Sequence, residues 1–157
     1  MVSSASTVIL DEEGRALATE LRTVLEQRLT KLLEQWLSRI SAALDEGRVL
    51  DAVQATHRPP EPSARVPADL AVRLSTMAGE SMSADRDERE WCALLDAVVA
   101  SPVRRTVKPA GLPVSSSEAT RAAALRAAGQ VPQLARLLGL PIPPPPGPRR
   151  APAQRGR

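Results

Sequence analysis

Residues 11–47 read DEEGRALATELRTVLEQRLTKLLEQWLSRISAALDEG, and how this stretch folds decides the rest. Leu17, Leu21, Leu25, Leu29, Leu32, Trp36, Ile40 and Leu44 fall three or four positions apart, the spacing that lines up side chains on one face of an α-helix. Val24, Leu33, Leu37 and Ala43 widen that face, and Arg22, Glu26, Lys31, Glu34, Gln35 and Arg39 supply much of the polar side. Asp11 is placed to act as N-cap, with Glu12 and Glu13 in a first turn that suits the positive end of the helix dipole. Gly47 is a natural C-terminal stop. A helix over 12–46 is about 50 Å long. That is longer than a small globule requires, so part of the stripe is expected to bury itself against a partner chain. The apolar period is roughly 3.6 to 3.9, which disfavours a regular two-stranded coiled coil with its strict 3.5.

Outward from this helix the chain is punctuated by proline and glycine. Val49, Leu50 and Val53 give a short helix over 48–56, and the run His57-Arg58-Pro59-Pro60-Glu61-Pro62 must break it, because proline lacks an amide hydrogen and clashes with the preceding turn. Residues 57–66 read as a stiff linker. Pro67 suits a first helical position, and Leu70, Leu74, Met77 and Ala78 predict a third helix, with Gly79–Ser83 as punctuation. Asp85 and Glu88 have capping-box spacing ahead of a fourth helix on Trp91, Leu94, Leu95, Val98 and Val99, closed by Pro102. Residues 101–114 hold three prolines and a glycine and predict an extended basic arm lying over the helices. Ser115 and Glu118 form a second capping box before a helix whose alanine face is Ala119, Ala122, Ala123, Arg126 and Ala127. Gly129 breaks that helix, Pro132 starts a last short one on Leu134, Leu137 and Leu138, and Gly139 stops it. The expectation is all-α: an irregular bundle of five or six helices forming one domain over 11–140. A flexible lead-in (1–10) and a disordered Pro/Arg-rich tail (141–157) flank it.

Composition agrees. Apolar residues make up 43% of the 157, yet there is no Phe or Tyr, and Trp36 and Trp91 are the only aromatics. A core of Leu, Ala and Val favours helices over strands. No apolar run is long enough to span a membrane, no secretory leader is apparent, and the cytoplasm is the expected location. The charge is split end from end. Residues 1–100 carry 17 carboxylates against 11 basic side chains, whereas 101–157 carry one carboxylate, Glu118, against ten.

Chemistry-bearing motifs are scarce. His57 and Cys92 are each the only residue of their kind; they read as a solvent-facing histidine in a linker and an inert thiol on a core face. One of each cannot supply a zinc site. The carboxylates of Asp11-Glu12-Glu13 and of Asp85, Asp87, Glu88 and Glu90 cluster at helix starts, which attract acids for structural reasons. No phosphate-binding glycine loop is present. No catalytic residue, cofactor or metal is expected. The sequence points instead to a non-enzymatic helical interaction protein, an adaptor or scaffold. It is expected to meet a protein partner, or a second copy of itself, through the long helix (Leu25, Leu29, Leu33, Trp36) and through basic residues of the arm and tail (Arg104, Arg105, Lys108, Arg149, Arg150). The tail's Pro145, Pro148 and Arg150 have PxxP-Arg spacing of the type aromatic grooves bind. The alternative is a nucleic-acid-associated protein touching phosphate through the basic C-terminal third. Residues 117–139 superficially resemble a helix-turn-helix, but the second helix is too short for base reading.

Overall fold

The computed structural model describes residues 11–141. Among them are six helices and no strand: α1 (Glu12–Asp45), α2 (Val49–Ala55), α3 (Ala68–Ser81), α4 (Glu88–Val99), α5 (Glu118–Ala127) and α6 (Pro132–Leu137). The all-α expectation holds, with the long helix first. The lead-in and the proline-rich tail, including Arg149 and Arg150, lie outside the described residues.

Local chemistry accounts for the limits of α1. The Asp11 carboxylate accepts from the Gly14 amide at 2.8 Å, satisfying a first-turn donor. At the other end Gly47 adopts φ +73°, a left-handed conformation that only glycine enters without cost. The Gly47 amide donates to Leu44 O and the Arg48 amide to Ala43 O, the paired closure of a Schellman motif. Gly139, at φ +70°, closes α6 in the same way, its amide donating to Arg136 O and the Leu140 amide to Ala135 O.

The core forms where α1 from Trp36 onward meets α2 and α3, which in turn meet α4, while α5 packs on α4 and α6 on α5. Ile40, Val53, Leu74, Ala78, Trp91, Leu95 and Val98 are fully enclosed or nearly so. Both tryptophans bury the ring and spend the N–H on a carbonyl outside their own helix: Trp36 Nε1 donates to Ala55 O at 2.7 Å and Trp91 Nε1 to Gly111 O at 2.9 Å. This pairing removes the cost of burying a polar donor. His57 is not simply solvent-facing. It is half-buried, and its Nε2 donates to Ala97 O at 2.7 Å, pinning the linker to α4. The neighbouring Thr56 hydroxyl bonds that of Ser101 at 2.8 Å, deep in the core. The linker is a docked loop, with Ala64 and Val66 packed against the core at its other end.

The arm departs from the expectation in its first half. Residues 102–106 form tight turns, with the Thr106 amide donating to Val103 O. Only from Val107 does the chain extend. It does lie over the helices: Val103, Val107, Pro109 and Pro113 are buried, and the amides of Ala110, Gly111 and Val114 donate to the carbonyls of Gly79, Met82 and Ala84. That contact explains a second departure. Gly79 does not punctuate; α3 runs through it to Ser81. A Cβ at position 79 would fall on the Lys108 carbonyl oxygen, so glycine here is what lets the arm approach.

Two caps are displaced from the expected residue. Asp87, not Asp85, caps α4, accepting from the Arg89 amide. Ser117, not Ser115, caps α5. The buried residues of α5 are Thr120, Ala124 and Ala127; Ala123 and Ala127 of the expected alanine face do pack inward, and that face is rotated toward Thr120, whose hydroxyl donates to Glu88 of α4.

Candidate functional site

The first two thirds of α1 leave the bundle. Every buried residue of this helix lies at Trp36 or beyond, and the earliest α1 residue packed against the core is Leu33. Residues 12–32, about 30 Å of helix, carry Leu17, Leu21, Val24, Leu25 and Leu32 at 42–64% exposure. Isolated exposed leucines are ordinary, but a contiguous apolar strip on one projecting helix is the kind of surface that marks an interaction site. The helix does not depend on tertiary packing for all its polar satisfaction: the hydroxyls of Thr19, Thr23 and Thr30 each donate to the carbonyl four residues earlier.

Of the residues expected to meet a partner, Leu25 is open and Leu29 half-buried on this strip, whereas Leu33 packs against the core. Trp36 is taken by the protein's own interior and marks the root of the projection. The structure therefore divides the stripe read from sequence into an inner half, 33–44, that builds the bundle and an outer half, 17–32, that does not. Leu17, Leu21, Val24 and Leu32, which belong to the same periodic pattern, join the outer face.

Arg104, Arg105 and Lys108 stand together on the arm, exposed. Among the described residues the ion pairs are Arg48 with Glu46 and Asp51, Arg73 with Asp45, and Arg86 with Glu90. All lie within residues 45–90. None of Arg104, Arg105, Lys108, Arg121, Arg126 and Arg136 pairs with a carboxylate there, so among the described residues these cations are not neutralised by the acidic first half. Arg104 reaches only the Ser101 carbonyl, at 3.4 Å. Arg65 and Arg104 border a cavity of about 420 Å³ that also touches Trp36 at the root of α1. Lys108 borders another of similar size with Glu80, Ser75 and Thr106. Both are open and mostly apolar.

The chemistry-bearing groups are not assembled into a centre. His57 is held by Ala97 O, while the Cys92 sulfur lies 3.5 Å from Thr120 Oγ1. No group of three or more metal-ligating side chains occurs among the described residues. Among the described residues the one strongly perturbed carboxyl is Glu88, half of the expected capping box ahead of α4. Its Oε1 accepts from the Ser117 hydroxyl at 2.5 Å, from the Ser117 amide at 2.8 Å and from the Thr120 hydroxyl. The Ser117 hydroxyl, then the Thr120 hydroxyl and the Ser117 amide, hold its pKa down at about 2, since donors aimed at a carboxylate favour its charged form. Glu88 is a clasp between the starts of α4 and α5.

In the α5–α6 region the second helix spans six residues and buries Pro132, Leu134 and Ala135. Its outer side carries only Arg136, Leu137 and part of Gln133, too little polar surface to read bases in a groove. Among the described residues no helix is long and apolar enough to cross a membrane. Comparison with protein-family models, curated proteins and solved structures finds no match to this chain.

Proposed function

We propose that this chain is a non-enzymatic interaction protein, an adaptor or scaffold, that docks through the outer face of α1 and uses the cationic arm as a second contact. The observation that carries this reading is the leucine strip of residues 17–32, which the bundle leaves uncovered. That Arg104, Arg105 and Lys108 have no carboxylate partner among the described residues supports the arm's part in it, because an acidic surface could then neutralise them without displacing such a partner. The test compares full-length protein with a Leu21→Glu/Leu25→Glu variant, both in self-association by light scattering and in capture from an extract of the native host. Loss of either in the variant supports the reading. Identical behaviour of the two proteins removes it.

The same arm supports a second reading, phosphate contact with nucleic acid. It requires a gel shift at low salt that weakens steeply as salt rises. Replacing Arg104, Arg105 and Lys108 by alanine would then flatten the salt dependence by roughly one unit of slope per lost contact. No shift at low salt ends this reading.

A further inference from the structure

We infer that the outer face of α1 is covered by a second copy of this chain, with the two long helices running antiparallel and centred on Val24 and Leu25. This rests on the reading of α1 as a docking surface and goes further by naming the occupant and its orientation.

Orientation follows from where the bundle sits. Leu25 and Ala43 are eighteen residues apart, five whole turns of 3.6, so they share one line along the helix. Leu25 is open, whereas Ala43 is buried in the bundle core. The face that projects at 17–32 is thus the face the body covers at 36–44. Two parallel helices in register would drive both bodies into the same space. They would also set Arg28, which lies on the strip between Leu21 and Leu32, against its own copy. Running antiparallel, the bodies sit at opposite ends and the two strips can meet along their whole length.

The charges then fall into place. Laying Leu17 level with Leu32 of the second copy brings Val24 level with Leu25 and superposes the exposed strip on itself. On one edge Glu20 comes within about one helical turn of Arg28 and Lys31 of the second copy. On the opposite edge Arg22 comes beside Glu26. Twofold symmetry repeats each pairing, as an isologous interface must. The acidic first turn, Asp11-Glu12-Glu13, arrives level with residues 36–38 of the second copy. There Arg65 and Arg104 border the cavity beside Trp36. In this arrangement Arg104, unpaired among the described residues of its own chain, has the other copy's acids for a partner.

Sedimentation of the full-length protein over a wide span of concentration should show a monomer–dimer equilibrium, weakened roughly ten-fold or more by Glu20→Arg and restored when Glu20→Arg is combined with Arg28→Glu and Lys31→Glu. Orientation is read by disulfide trapping in a Cys92→Ala background. A Leu17→Cys chain mixed with a Leu32→Cys chain should form the mixed disulfide at least about ten-fold faster than Leu17→Cys forms one with itself, because pairing raises one thiol's effective concentration at the other. Preferential Leu17→Cys self-linkage overturns the antiparallel arrangement. A monomer at every concentration overturns the self-pairing, whether the strip is then covered by the chain's own termini or by another protein. If capture from the host extract is still lost in the Leu21→Glu/Leu25→Glu variant, only the second copy has failed and the docking face stands. If it is unchanged, both fail.

Discussion

The carbonyl oxygen of Lys108 occupies the space that a side chain on Gly79 would need. Helix α3 and the basic arm touch backbone to backbone at this point, reinforced by the Ala110 amide donating to Gly79 O at 3.1 Å. Gly79→Ala therefore sets two effects against each other. Alanine favours a helix over glycine by about 1 kcal/mol, whereas forcing atoms into a filled contact costs roughly 1–3 kcal/mol. The obstruction is backbone, which cannot swing aside as a side-chain end can. The expected outcome is net destabilisation in chemical denaturation, accompanied by faster amide exchange at Ala110 and Gly111.

Leu25 and Ile40 lie on one helix with similar side chains and opposite surroundings. Ile40 is fully enclosed and Leu25 is 64% exposed. At protein concentrations low enough to keep the chain monomeric, Ile40→Ala should cost about 2–5 kcal/mol and Leu25→Ala less than about 0.5 kcal/mol, both read from urea unfolding.

Glu88 gives the fold an acid-sensitive seam. Its carboxyl is depressed to about 2 in the folded protein and has an ordinary carboxylate value once unfolded. Its stabilising contribution is therefore complete above the unfolded value, near 4.5, and is lost as pH falls through the folded value, near 2. Between those limits stability should decline with falling pH, and Glu88→Gln should flatten that part of the profile. Thermal midpoints measured from pH 6 to pH 2 check the sign and the window.

Gly47 supports a simpler expectation. Nothing crowds the site where its side chain would be, so the cost of Gly47→Ala comes from the φ of +73° and should be roughly 1 kcal/mol. Gly47→Asn, which tolerates the left-handed region better, should recover part of it. Denaturant midpoints of the two variants decide.

What could be read from sequence was whatever neighbours in the chain decide. Asp11, Gly47 and Gly139 act on residues within one turn of themselves, and each was legible. Gly79 was not, because the demand for glycine comes from Lys108, twenty-nine residues away. The Ser115–Ser117 run offers three possible caps, and the choice of Ser117 accompanies its bonds to Glu88 across a helix junction. The leucine pattern of α1 is equally regular inside and outside the bundle, so periodicity revealed the stripe without showing where its cover ends. That boundary, at Leu33 and Trp36, is set by the reach of α2 and α3.

The two indoles offer a way to watch different parts of this molecule by light. With no tyrosine in the chain, near-ultraviolet emission comes almost wholly from Trp36 and Trp91. One reports from the root of the long helix and the other from the seat of the arm. Changing either to phenylalanine leaves a single fluorophore. Red-shifted emission from the Trp91-only protein would then signal release of the arm, and from the Trp36-only protein, opening at the helix root.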